Sequence, residues 1–238
     1  MPPRRPTVLV ALLGDPGPAV RASLGGFERW FREGLEPAAE VRVAHRHGVR
    51  AAAAGADGIV VTGSYASMTE RAPWMLALGE ALLEAAERAP VLGVCFGHQL
   101  LAAALGGTVE RNPRGPEVGT GEVELTAAGQ EDALLAGLPA RLAVQQFHED
   151  HVAVAPPGAV LLATGAHTPV QAFAHGPRLR AVQFHPEFDA ARVRAMADEE
   201  RAWVERGGAA RHAEAAATIR ETPEAAGLLR RWVERVVR

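Results

Sequence analysis

Apolar residues along this chain come in short continuous blocks, separated by amphipathic stretches. The block Thr7 to Leu13 is apolar and rich in β-branched residues, and it stops at Gly14-Asp15-Pro16-Gly17. Such a run bounded by turn residues predicts a buried strand followed by a loop. Phe27, Trp30 and Phe31 recur near helical spacing, which predicts a helix over about 19–34. Further strands are expected near 40–44, at 58–62 (closed by Gly63-Ser64) and at 90–95. Helical patterns cover 73–88 and 97–105, the second stopped by Gly106-Gly107. Strands and helices alternating at these lengths predict an α/β fold, with a mostly parallel central sheet and helices on both faces.

From Thr108 to Gln183 the pattern changes. It is strand-rich, with turn signals at Asn112-Pro113, Pro156-Pro157-Gly158 and His175-Gly176-Pro177. This predicts a smaller section of antiparallel strands and hairpins. From about Asp189 onward the chain is rich in Ala, Arg and Glu, and two or three closing helices are expected. No internal repeat, heptad run or disordered linker interrupts the pattern. The 238 residues therefore fit one domain over 1–238, with about 190–238 as a C-terminal helical extension.

Composition narrows the function. A 48% hydrophobic fraction suffices for a sizeable core, and a formal charge of −3 argues against a nucleic-acid or membrane-surface partner. Every Lys/Arg position is arginine, which excludes a lysine nucleophile, a Schiff base and a phosphate-binding P-loop lysine. Cys95 is the single cysteine, so no intramolecular disulfide can form. The start, Met1-Pro2-Pro3-Arg4-Arg5-Pro6, reads as an untidy terminus rather than a signal peptide, and no long apolar span follows. Together these features lead us to expect a cytoplasmic protein.

The most informative segment is Gly93-Val94-Cys95-Phe96-Gly97-His98-Gln99. A buried strand enters Gly-x-Cys-x-Gly and a helix follows at once, the shape of a nucleophile elbow with sulfur in place of a serine oxygen. The glycines suit a turn with little room for side chains. A thiol at a helix N-terminus sits where the macrodipole favours the thiolate. The Phe96 N–H is then free to face a carbonyl under attack. The bland alternative is an inert core cysteine. His98 lies only three residues along the same helix, so its ring points away from the sulfur.

A thiol nucleophile needs a base, and the base needs an orienting group. Gln183-Phe184-His185-Pro186-Glu187-Phe188 offers both: a strand ends at His185, Pro186 fixes a turn, and Glu187 can fold back onto the imidazole. Spacing alone does not bring His185 to Cys95, and a surface histidine at a strand end is the competing reading.

Taken together, the cysteine motif and Phe184-His185-Pro186-Glu187 some ninety residues later resemble the two signatures of class I glutamine amidotransferases. Leu100 to Gly107, Glu117-Val118-Gly119 and His148-Glu149-Asp150-His151-Val152 are similar to stand-alone relatives of the GMP synthase amidotransferase domain. The resemblance implies a flavodoxin-like amidotransferase fold and Cys95, His185 and Glu187 as a catalytic triad. It implies that Gln99 helps hold glutamine, and that the Gly63-Ser64 loop supplies a second oxyanion N–H beside that of Phe96. Where the family often has Gly-Gly-Pro, this chain reads Gly63-Ser64-Tyr65, which leaves the γ-glutamyl substrate open. His148-x-Asp150 resembles an element facing a synthetase partner, with a polar loop as the alternative. The tight spacing of His148, Asp150 and His151 does not suit zinc, and no metal is expected.

The resemblance thus implies hydrolysis of glutamine through a γ-glutamyl thioester, needing no cofactor. The sequence has no Ser-Gly-Gly-x-Asp-Ser-like pyrophosphatase loop and no Walker A motif. A separate ammonia-accepting synthetase subunit is therefore the expected partner. Two alternatives stay open: a hydrolase of other γ-glutamyl amides, and a non-catalytic binding protein that keeps the fold.

Overall fold

The computed structural model describes residues 4–237, so residues 1–3 of the Pro-rich start and Arg238 of the closing segment lie outside the described residues. The chain begins with β1 (Thr7–Leu12), α1 (Pro18–Leu24), α2 (Phe27–Leu35), β2 (Glu40–His45) and α3 (Val49–Ala53). It continues through β3 (Gly58–Val61), α4 (Pro73–Ala86), β4 (Val91–Val94) and α5 (Phe96–Ala104). The strand-rich part follows: β5 (Thr108–Arg111), β6 (Glu117–Leu125), α6 (Ala127–Glu131), β7 (Arg141–His148) and β8 (Asp150–Val154). After β9 (Val160–Gly165), β10 (Ala172–His175) and β11 (Leu179–Val182), the described chain closes with α7 (Ala190–Glu199), α8 (Arg201–Val204), α9 (Arg211–Thr218), α10 (Pro223–Ala226) and α11 (Leu228–Trp232).

Nine strands form one sheet in the order β2-β1-β3-β4-β11-β10-β9-β6-β7. From β2 through β11 neighbouring strands are parallel. From β11 to β7 they are antiparallel, so the antiparallel section extends the parallel sheet instead of standing apart. The small antiparallel pair β5–β8 forms a second sheet.

Strand periodicity divides the core in two. Val8, Val10, Val60, Leu92 and Val94 face α2, α7 and α11, while Leu9, Ala11, Ile59, Val61 and Val91 face α4 and α5. Burial on both faces explains why these strands read as continuous apolar blocks.

Two expectations need correcting. The helix expected over about 19–34 is two, α1 and α2, because Gly25 adopts φ 85° and breaks the rod. The new N-terminus is capped from outside, as the Phe27 N–H donates to Asp15 Oδ1 at 2.9 Å. The two or three closing helices are five short ones, punctuated at Gly208 (φ 133°) and before Pro223. Among the described residues no helix is long and apolar enough to cross a membrane.

Candidate active site

Cys95 and His185, far apart in sequence, leave adjacent strands of one sheet. β4 and β11 are parallel, with Val94 opposite Val182, and the Cys95 N–H donates to Val182 O at 2.9 Å. Cys95 follows β4 immediately and His185 lies three residues beyond β11, so both stand at the carboxyl edge of the sheet. β3 flanks β4 on its other side and delivers the Gly63-Ser64 loop to the same edge. Outside the carboxyl ends of parallel strands is where α/β proteins place their ligands.

The elbow has the strain its sequence suggested. Cys95 sits at φ 52°, ψ −104°, in the left-handed half of conformational space that a side chain disfavours. The flanking glycines are required by close approach. A Cβ at Gly97 would stand 2.4 Å from Val61 O, and one at Gly93 would stand 2.6 Å from Gly97 O. Phe96 is the first residue of α5, so its N–H has no acceptor within the helix. The Gly63 backbone lies against the pair: a Cβ there would be 3.2 Å from His185 Cε1 and 3.7 Å from Cys95 Cβ.

His185 is held from several directions. Its Nδ1 lies 2.7 Å from Glu187 Oε1, and its ring stacks on Phe188 with centroids 4.0 Å apart. Phe188 in turn meets Trp30 edge-on at 5.5 Å. Arg192 Nη1 donates to Glu187 O at 2.7 Å, tying the turn to α7, and its guanidinium lies over the Trp30 ring. Its Nε2 is buried without a hydrogen-bond partner among the described residues, and Cys95 is among the neighbours that raise the ring's proton affinity. Burial works against a charge here, yet the Glu187 carboxylate and the neighbouring Cys95 outweigh it and push His185 up to about 10. The imidazole lies between a sulfur-bearing elbow and a buried carboxylate, in surroundings that favour its protonated form.

His98 is placed elsewhere, packed on Phe173 at 5.0 Å in the core on the opposite face of the sheet. Burial drives its pKa down to about 3, so it stays neutral. Gln99 borders the cavity, but its amide donates to Asp150 O at 2.7 Å and to Gln183 Oε1 at 3.2 Å. What remains to offer a ligand is its carbonyl oxygen. His148 and Asp150 both border the cavity, with His148 Nδ1 3.0 Å from Asp150 O. Their side chains take different partners: His148 Nε2 lies 3.2 Å from Glu117, while the Asp150 carboxylate accepts from Ser67.

These groups surround a cavity of about 230 Å³, floored by Cys95 and His185 and bordered by Gly63, Ser64, Gln99 and Phe147. The chain matches the glutamine amidotransferase class-I family over residues 32–196, a span holding the elbow, the His185 turn and the strands that carry them. This chain belongs to the class I glutamine amidotransferase family.

Among amidotransferase relatives, the glutamine-hydrolyzing GMP synthase of Aeropyrum pernix is 42% identical over 137 residues, covering 56% of this chain and 24% of that protein. Gamma-glutamyl peptidase 4 of Arabidopsis thaliana is 32% identical over 136 residues, covering 56% and 54%. The matched segments span about a quarter and about half of those two proteins. A glutamine amidotransferase structure from Thermotoga maritima shares the fold, with TM-score 0.73, 24% identity and 99% of both chains covered. A glutamine amido transferase structure from Methylobacillus flagellatus superposes with TM-score 0.70 at 25% identity, covering 99% of this chain and 93% of that one.

One wall of the amidotransferase cavity is not signalled by either motif. Met196, Glu200, Trp203 and Arg206 line it from α7, α8 and the turn that follows. Their spacing of four, three and three residues places them on one helical face, the only mark they leave in the sequence. Trp203 packs on Phe147 with centroids 5.0 Å apart.

Proposed function

We propose that this chain hydrolyses the side-chain amide of glutamine by acyl transfer through Cys95. The carrying observation is the strained elbow that sets the Cys95 sulfur beside an imidazole anchored 2.7 Å from Glu187. The Cys95 thiolate attacks the Cδ carbonyl. The Phe96 and Gly63-Ser64 backbone N–H groups receive the oxyanion, each donor worth about 3 kcal/mol of barrier. The C–N bond breaks as His185 protonates the departing nitrogen, leaving a γ-glutamyl thioester and ammonia. Neutral His185 then takes a proton from water, whose oxygen attacks the thioester and releases glutamate and Cys95. Glu187 keeps the imidazole oriented and steadies its charge, and Gln99 contributes its carbonyl to the substrate. The ammonia passes to an acceptor on a separate chain.

A second reading, favoured by the likeness to gamma-glutamyl peptidase 4, has the same residues cleave other γ-glutamyl amides. Both are tested by measuring glutamate release from glutamine and from γ-glutamyl dipeptides. Wild-type turnover that disappears in Cys95→Ala is the expected result. Turnover that persists in Cys95→Ala would remove the sulfur from the reaction.

A further inference from the structure

The triad cavity continues past its mouth. Glu149 and Arg206, which border it, also border an open groove of about 520 Å³ whose other walls include Arg114, His167 and Arg211. In a chain of net charge −3 this is a concentration of cations: Arg111 and Arg206 reach the Glu149 carboxylate, and Arg114 and Arg211 line the groove beside it.

That carboxylate is already shared. Arg206 Nη2 lies 2.9 Å from Glu149 Oε2, and Arg111 Nε lies 3.8 Å from the same oxygen. Arg114 and Arg211 are held by carbonyls instead. Arg114 Nη1 donates to Ala166 O at 2.6 Å, and Arg211 Nη2 donates to Arg114 O at 2.9 Å. A neutral carbonyl orients a guanidinium without cancelling its charge. Glu117 and Glu214 lie beyond Arg211 and His167, lining a neighbouring hollow, and Glu117 is engaged by His148. The groove therefore presents two fixed guanidinium forks that form no ion pair among the described residues, and it adjoins the triad cavity through Glu149 and Arg206.

On the leaving side of the scissile bond glutamine has nothing to place there, because its leaving group is ammonia; its α-carboxylate belongs to the acyl half. We propose that this arginine groove is a leaving-group subsite that binds the carboxylate of a γ-glutamyl amide whose amine half is an amino acid or short peptide. The assignment rests on the thioester chemistry given above to Cys95 and leaves its balance unchanged. The amide C–N bond breaks, the C–S bond forms, and the amino-acid amine departs with the proton from His185. A planar fork suits a carboxylate, and the charge-assisted bonds exceed neutral ones in strength.

The test is kcat/KM of the full chain for glutamine, γ-glutamylglycine and neutral γ-glutamylglycinamide, in wild type and in the Arg114→Gln/Arg211→Gln double variant. Wild type is expected to prefer the acid over its amide by about tenfold, the scale of one charge-assisted contact. The double variant loses that preference, while glutamine turnover stays within about twofold. Equal turnover of acid and amide by wild type overturns the subsite alone, as does a preference that survives both substitutions. No turnover of any of the three overturns the Cys95 chemistry and the subsite with it. Should the double variant lose glutamine turnover as well, the two single variants and the salt dependence of the wild-type preference decide. A preference unmoved by salt overturns the subsite.

Discussion

His185 and His98 are both fully buried, and their proton affinities diverge. Burial drives His98 down to about 3, with only carbonyl groups to offset it. The same burial is overridden at His185, which rises to about 10 beside Glu187 and Cys95. The difference comes from the neighbours: Glu187 and Cys95 raise His185, whereas His148 lowers His98 further. It also fixes the sign of a stability effect. A raised folded-state pKa contributes stability that is complete below the unfolded value near 6.5 and is lost as pH rises through about 10. In thermal denaturation, the margin of wild type over His185→Gln is expected to be widest near pH 6 and to narrow steadily toward pH 10. A margin independent of pH would mean that His185 is held by packing on Phe188 and not by charge.

Among the elements, α7 connects packing to the candidate chemistry. Asp189 caps it, accepting from the Arg192 N–H at 2.8 Å, and the same Arg192 holds the Glu187 carbonyl. Removing the cap in Asp189→Ala is expected to cost about 1 kcal/mol in denaturant unfolding. Because Met196 at the far end of α7 lines the cavity, KM should rise more than kcat falls; an unchanged KM would separate the helix from the pocket. Much of this level could be read from the chain. Blocks such as Ile59-Val60-Val61 are buried on both faces, as central strands of a covered sheet are. The elbow was legible from its glycines between a strand and a helix, whereas the His-Pro-Glu turn was tied to it only through the family resemblance. The division of α1 from α2 follows from Gly25-Gly26, which the helical spacing of Phe27, Trp30 and Phe31 masked; the cap from Asp15, in a loop twelve residues upstream, left no local mark. Glu200, Trp203 and Arg206 were missed as cavity residues because a helical face signals burial without saying against what.

Across the whole molecule, the last helices share the core with the first strands. Leu228, Leu229, Trp232 and Val233 are buried in the same cluster as Val8, Val10 and Trp30. The fit is tight: a Cβ at Gly58 would come 2.8 Å from the Trp232 ring, and one at Gly34 would come 2.6 Å from Leu229. Trp232→Ala is therefore expected to cost about 3–5 kcal/mol in denaturant unfolding, as large core truncations do. A cost below about 1 kcal/mol would show that these helices lie on the fold without supporting it.

The backbone at Cys95 has a consequence for any evolutionary experiment on this chain. A conformation of this kind costs on the order of 1–3 kcal/mol, and glycine would occupy it almost freely. Heat tolerance and the sulfur thus pull in opposite directions at one codon. Directed evolution that rewarded thermal survival alone would find an easy gain in discarding the thiol, so a screen for sturdier variants must count product as well as survivors.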